Sequence, residues 1–572
     1  MDKKRLMDKA RGLQKCQTVF KNGQVINVFN ESVETMDIAV EDGIIIGIGK
    51  GYEGETTVDL MGRFVAPGFI DGHVHIESSM VSPAQFPRIV VPKGTTTIIA
   101  DPHEIANVSG VKGIEYMLRA SCNDLLDTYF MIPSSVPSTN YETAGATISV
   151  DDIRALKDND HVLGLGEVMN YPAVLGGDRD IHEKIAVMNN RPIDGHAPSL
   201  KDKDLNAYIL AGVQTDHECS TIEEMQDRLN KGMYVHLREG SVTRNVRDLV
   251  PGLTVATMRR ALFCTDDKHP EDIRLEGHIN HNVNLAIGLG VPPMKAIQMA
   301  TINAADCYGL SRLGAIAPGR QADFFTFGSF DKIEARDVYK KGVHVASGGE
   351  ALFTTETVRD EGVHNTVHID VESIDLSIPL KTDKVKVIGL VKNNITTKKL
   401  IRNVSVEDGV YVNNPDDDIL KLTVVERHGK TGNHASALVE GFGLKNGALA
   451  MTIAHDSHNL VMVGDSDEAM RTAMRKIVEM GGGIVLVKEG EIVHSLPLEI
   501  SGIMTAQDPE QVAEILETMK KTTRSMGLSN AIDDPFIQLA FLPLAVIPTL
   551  KITDRGLFDV EKFEIVEIEE SS

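Results

Sequence analysis

The stretch Pro67-Gly68-Phe69-Ile70-Asp71-Gly72-His73-Val74-His75 decides how this chain reads. A Pro-Gly turn ends a series of short β-prone segments, and an apolar, strand-like run then closes on two histidines two residues apart. Side chains alternate along a strand, so His73 and His75 face the same way. Downstream, similar runs recur: TTTIIADPH (95–103), DTYFMIP (127–133), HVLGLGE (161–167), RPIDGHA (191–197), GVQTDHE (212–218), GMYVHLRE (232–239) and LFCTDD (262–267). With GFIDGHVH (68–75) that makes eight, most of them separated by segments such as SGVKGIEYMLRASCNDLL (109–126), which is apolar at helical intervals. Eight βα units in one block predict an α/β fold of the (β/α)8 TIM-barrel type; an open α/β sheet is the alternative.

Working outward, residues 1–66 carry strand runs with Lys-Asn-Gly and Glu-Asp-Gly turns, the pattern of a hairpin-rich cap. LGAIAPGRQADFFTF (313–327) and YKKGVHVASGGEAL (339–352) return to that pattern after the barrel. The expected organisation is therefore a β-sandwich cap built from residues 1–66 and 313–369, a barrel over 67–312, and a separate C-terminal α+β domain over 370–572. In that last domain, KVKVIGLVKNN (384–394) and GIVLVKEGEIVHSL (483–496) read as strands, and DEAMRTAMRKIVEM (467–480) and PEQVAEILETMKK (509–521) as helices. Gly481-Gly482-Gly483 is followed by no P-loop lysine-serine pair and reads as a turn. A chain of 572 residues suits about three or four domains.

Charge narrows the function. With 82 acidic against 58 basic side chains and a formal net charge of −24, the chain repels phosphate backbones, so nucleic acid is not an expected partner. The zinc nucleic-acid deaminase signature, His-x-Glu with Pro-Cys-x-x-Cys, is also absent. Five cysteines stand singly with no Cys-x-x-Cys, which opposes a disulfide framework or a thiolate zinc site. No run has signal-peptide or membrane-span character, so a cytoplasmic protein without membrane contact is expected.

The chemistry collects at the strand ends. In a barrel of this type the carboxyl ends of the strands form the mouth, where active sites sit. His73 and His75 end the first run, Glu167 the fourth, His196 the fifth, His217 the sixth and Asp266 the eighth. Any one of them is unremarkable after a strand; together, four imidazoles and two carboxylates on one rim make a ligand set for borderline divalent ions. One ion takes three or four protein ligands, so this set suits two, with Glu167 bridging them and a hydroxide between. Asp266 is the expected proton acceptor from the attacking water and donor to a leaving amine.

Six segments in this order, PGFIDGHVHIESS, ADPHEIANV, GLGEVMNYPAV, DGHAPSL, TDHECS and CTDDKHP, resemble the adenine deaminase family of the amidohydrolase superfamily. The resemblance extends from the cap through the barrel to a family-specific extra domain at the C-terminus. It implies His73, His75, Glu167, His196, His217 and Asp266 as ligands of two divalent ions, Mn2+ or Fe2+. Hydantoinase-like members bridge their metals with a carbamylated lysine, whereas this chain has Glu167 there and no lysine nearby. The implied reaction is hydrolysis of adenine to hypoxanthine and ammonia in purine salvage. Glu167 would protonate the ring nitrogen beside the amino-bearing carbon, and Asp266 would assist ammonia. The competing readings are another amidohydrolase, such as an amino-sugar deacetylase or a cyclic amidase, and a non-catalytic metal- or metabolite-binding relative.

Other rim residues carry two readings each. His103 and Glu104 either touch metal or substrate or end an exposed loop. Arg238 and Glu239 either read a purine edge or form a rim salt bridge. Asp267 either bonds a ring N–H or caps the next helix. His236 is expected to support its strand, and His278 and His281 to lie on a helix face or behind the ligands. IAHDSHN (453–459) either closes the mouth or is a surface turn. Acidic enzymes of this size are commonly symmetric homo-oligomers, a dimer or larger.

Overall fold

The computed structural model describes residues 3–392, 394–414 and 417–570. All eight runs form strands: β1 (Phe69–Val74), β2 (Thr95–Ala100), β3 (Asp127–Ile132), β4 (Val162–Val168), β5 (Ile193–Gly195), β6 (Thr215–Asp216), β7 (Tyr234–Arg238) and β8 (Ala261–Cys264). β1 to β5 pair in parallel, in chain order, as one sheet, and β6 to β8 as another. Between β5 and β6, the Gln214 N–H donates to Ile193 O at 3.0 Å. Next to β1, Val74 makes a parallel bridge with Asp266 just past β8. There the Asp266 N–H donates to His73 O at 3.0 Å and the His75 N–H to Asp266 O at 3.2 Å.

Every residue of β1 and β2 is buried, as parallel strands covered on both faces require. Because the pairing is parallel, the carboxyl ends share one side, and the polar residues that end the runs meet there. The connecting helices form where the sequence caps them. Ser149 and Thr221 make capping boxes with Asp152 and Glu224 at the starts of helices Val150–Leu156 and Ile222–Asn230.

The segments before β1 and after β8 do join. Phe324–Phe327 pairs antiparallel with Phe64–Pro67, and Phe20, Phe324 and Tyr339 pack edge-on and stacked at centroid distances of 5.0 to 5.1 Å. The strands form one continuous nine-stranded sheet, so the expected sandwich does not consist of two separately bonded sheets. The long strand Cys16–Asn27 carries this continuity, pairing with Ser32–Glu41 on one edge and with both Gly54–Asp59 and Phe64–Pro67 on the other.

The C-terminal region contains an eight-stranded sheet, in which the strand-like run 483–496 forms a hairpin, Gly483–Lys488 with Glu491–Pro497. Helix Asp467–Met480, capped by Ser466, packs on this sheet and ends at Gly481, whose φ of +75° is the left-handed stop glycine allows. From helix Pro509–Ser525, Lys520 pairs with Glu271, in the segment after β8, at 2.6 Å and with Asp534 at 2.5 Å. Among the described residues no helix is long and apolar enough to cross a membrane.

Close backbone approach between β4 and β5 depends on Gly164: a Cβ there would lie 1.9 Å from Pro192 O, which accepts the Leu165 N–H at 3.0 Å. The obstacle is backbone, so Gly164→Ala has to part the two strands. A loss of about 1–3 kcal/mol, read as a lowered denaturation midpoint, is expected. An unchanged midpoint would contradict the packing described.

Candidate metal centre

Glu167, from β4, sits 3% exposed at the middle of the rim, and its two oxygens serve different neighbours. Oε1 lies 3.0 Å from His73 Nε2 and 3.1 Å from His75 Nε2. Oε2 lies 2.8 Å from His196 Nδ1 and 3.4 Å from His217 Nε2. Asp266 Oδ1 completes the first group at 3.4 Å from His73 Nε2 and 3.0 Å from His75 Nε2. The backbone helps: Asp266 adopts φ +60°, a left-handed conformation aspartate tolerates, while its N–H and C=O are held by the first strand's end. All six residues expected as ligands are therefore brought together.

The site's chemistry fits divalent cations. A backbone carbonyl only accepts, so the contact of His75 Nδ1 with Asp101 O at 2.9 Å puts the ring proton on Nδ1. That leaves the Nε2 lone pair facing Glu167 and Asp266, the arrangement of a metal-ligating imidazole. Glu167 Oε1 is buried and has no hydrogen-bond donor. Within the rim, His73, Glu167, His217 and Asp266 present ligand atoms all within 4.8 Å of one another, and His75, His103 and Glu167 form a second such group.

Charge balance points the same way. Burial raises the carboxyl groups, yet His217 and His73 hold Glu167 well below the usual carboxylate range, and Arg238 with His73 and His75 does the same for Asp266. Burial likewise opposes charge on His75 and His217, but the surrounding carboxylates hold both well above the ordinary imidazole range. Glu218 and Asp266 share one permanent cation, Arg238, and the remaining positive charge that the rim carboxylates require has to come from protons on imidazoles or from bound cations.

Two family models match the chain: the amidohydrolase family over residues 64–348 and the adenine deaminase C-terminal domain over residues 394–564. The chain is 48% identical over 566 residues to adenine deaminase 2 of Carboxydothermus hydrogenoformans, covering 99% of each chain. It is 45% identical over 565 residues to the adenine deaminase of Clostridium acetobutylicum, covering 98% of this chain and 99% of the relative. This chain belongs to the adenine deaminase family. Its α/β architecture with metal-type ligands on a parallel-strand rim is that of an amidohydrolase.

The remaining expectations divide. His103 does join this cluster, with Nδ1 3.7 Å from Glu167 Oε1 and Nε2 3.5 Å from Glu104 Oε1. Glu104 lines the same cavity, and its two oxygens contact His455 Nδ1 and His458 Nε2 of the C-terminal region. The 453–459 segment thus closes the mouth, and Arg427, fully buried, holds it by donating to His458 O. Arg238 and Glu239 do not pair with each other. Arg238 donates to Glu218 at 2.5 and 3.1 Å and to Asp266 at 2.8 Å, whereas Glu239 accepts the Val246 N–H at 3.3 Å away from the cavity. Asp267 lines the cavity and accepts from Ser78 Oγ. His236 is buried with both ring nitrogens unpartnered, and burial followed by His73 and His217 keeps it neutral. His278 Nε2 lies 3.2 Å from Asp71 Oδ2, behind the ligands, while His281 reaches only Glu276 at 3.9 Å.

Several contributors were not anticipated. Glu218 stood next to an expected ligand and was readable as a further rim carboxylate, 3.4 Å from His217 Nε2. Asp101 fixes the bridge position, its Oδ2 accepting the Glu167 N–H at 2.8 Å. Ile395, Phe541, Leu544, Val546 and Ile547 supply an apolar wall opposite the polar rim, and nothing in their composition marks them.

Beside this wall Ser138 Oγ donates to Glu142 Oε1 at 2.8 Å, and burial, then the Asp456 carboxyl, pushes Glu142 up to about 8. Folded Glu142 holds its proton more tightly than the unfolded chain does, so its contribution is full below about 4.5 and is lost as pH rises through about 8. Glu142→Gln mimics the protonated form. Denaturant titrations should show the variant gaining on the parent protein between these pH values, by at most about 1.4 kcal/mol per pH unit. Parallel pH profiles would contradict the assignment.

Proposed function

We propose that this protein hydrolyses adenine to hypoxanthine and ammonia. The observation that carries the reading is the division of the Glu167 oxygens between one imidazole group, His73 and His75, and another, His196 and His217. In this reading His73, His75, Glu167 and Asp266 would hold one ion, and Glu167, His196 and His217 would hold the second. Bound there, two Mn2+ or Fe2+ ions would lower the pKa of a shared water and make hydroxide available near neutral pH.

The chain's own residues then divide the proton work. Glu167 takes one proton of the water as the hydroxide forms and delivers it to the ring nitrogen adjacent to the amino-bearing carbon as the C–O bond forms there. Asp266 takes the other proton of the attacking water and passes it to the amine as the C–N bond breaks. Arg238, 2.8 Å from Asp266 Oδ2, orients that carboxylate and keeps its affinity for the proton low, which favours handing the proton on. Asp267 offers an acceptor to a ring N–H. The wall of Ile395, Phe541 and Leu544 gives a flat apolar ring a dry face to lie against and keeps bulk water from the rim. Glu104, itself on the cavity, anchors this closure through His455 and His458.

The same reading takes the eight parallel strands as a closed (β/α)8 barrel over residues 67–312. The bridge of Val74 with Asp266 and the Gln214 to Ile193 bond support that closure. The cap would comprise 1–66 and 313–369 and the C-terminal domain 370–572, in a cytoplasmic homo-oligomer serving purine salvage.

The test is turnover by manganese-loaded protein of a panel of purines, pyrimidines and cyclic amides, read as ammonia release for the amino-bearing bases and as ring opening for the amides. Adenine is expected to be the preferred substrate; turnover of an amide with none of adenine would overturn the reading. Glu167→Gln should lower kcat on the order of 10²-fold or more. Near-normal turnover by that variant, with its full metal content, would remove the proton role from Glu167.

A further inference from the structure

Lys551 lies in strand Leu550–Thr553, is fully buried, and has no salt-bridge partner among the described residues. Its Nζ donates to two carbonyl oxygens, Ile395 O at 2.8 Å and Phe541 O at 2.9 Å. These acceptors come from separate parts of the chain. Ile395 begins strand Asn394–Asn403, and Phe541 follows helix Pro535–Ala540. Both residues line the cavity at the rim. The Phe541 ring also stacks on His455 with centroids 4.4 Å apart and planes at 28°, and His455 in turn contacts Glu104.

An ammonium without a counter-charge is costly to bury, and an apolar side chain of similar volume fills such a space without that cost. What lysine adds here is a donor that reaches both carbonyls at once. Burial pushes its pKa down to about 7, and an amine in either protonation state keeps N–H donors for the two bonds.

We propose that Lys551 is a positioning residue that clamps Ile395 and Phe541 together and so holds the apolar wall in place over the reacting rim. This role rests on the adenine reading for its kinetic consequence, though not for its structural one. With the clamp in place the wall fits a flat free base. With the clamp released, Phe541 and the segment 541–547 gain freedom, ground-state binding weakens, and bulkier purines gain entry.

The experiment compares the parent protein, Lys551→Met and Lys551→Gln, all as full-length metal-loaded protein. Kinetics on adenine and 9-methyladenine are read together with amide hydrogen exchange over 394–397 and 541–547. Lys551→Met should raise KM for adenine about five- to tenfold with little change in kcat, the loss expected for hydrogen bonds of ordinary strength. It should also narrow the preference for adenine over 9-methyladenine and speed exchange in those two segments alone. Lys551→Gln, which keeps an N–H donor, should recover part of each effect. A fall confined to kcat, or unchanged exchange in both segments, would overturn the proposal. So would failure of both variants to fold, because Lys551 would then support the whole domain and not the wall. If the parent protein shows no turnover of adenine, the adenine reading fails by itself, and the exchange comparison still decides whether Lys551 clamps the wall.

Discussion

The structure depends on one buried carboxylate shared between two sets of imidazoles. Glu167 is taken out of water at the centre of the rim, and a carboxylate there is tolerable only if positive charge meets both oxygens. His73 and His75 meet one and His196 and His217 the other. Those residues come from strands β1, β5 and β6 or the turns just after them, so the demand of a single side chain constrains how the parallel strands are set side by side. The seam of Asp266 with the end of β1 brings the last carboxylate to the same point.

Around that centre, successive layers hold the ligands still. Asp101 accepts the Glu167 N–H and offers its own carbonyl to His75, so one residue at the end of β2 sets both a bridge and a ring tautomer. Arg238 ties Glu218 to Asp266, and His278 stands behind Asp71. Outside these, the C-terminal region covers the mouth through Glu104 with His455 and His458 on the polar side and through Phe541 and its neighbours on the apolar side. A site open to water would screen each of these interactions; a covered one keeps them strong.

Much of this was legible in the sequence because it follows local rules. Period-two alternation put His73 and His75 on one side, and the recurrence of apolar runs ending in His, Glu or Asp located the rim. Helix caps such as Ser466 and the stop at Gly481 were equally local. The rest depended on distant pairing, which no local pattern encodes. Arg238 looked like a neighbour for Glu239, but burial turned it to Glu218 and Asp266. Glu104 was readable as a rim group, and it does line the cavity, but its partners lie some 350 positions along the chain. Ile395 and Phe541 read only as apolar residues, and Lys551 as a basic residue in a strand; their meeting is a product of tertiary packing. The cap showed the same limit: its strands were readable, whereas their union in one nine-stranded sheet was not.

The central claim is that Glu167 bridges two cations, and anomalous diffraction from crystals of manganese-loaded protein tests it most directly. Two manganese peaks are expected on either side of the Glu167 carboxylate, about 3.5–4 Å apart, one beside His73 and His75 and the other beside His196 and His217. A single peak, or two peaks with Glu167 bound to neither, would contradict the account.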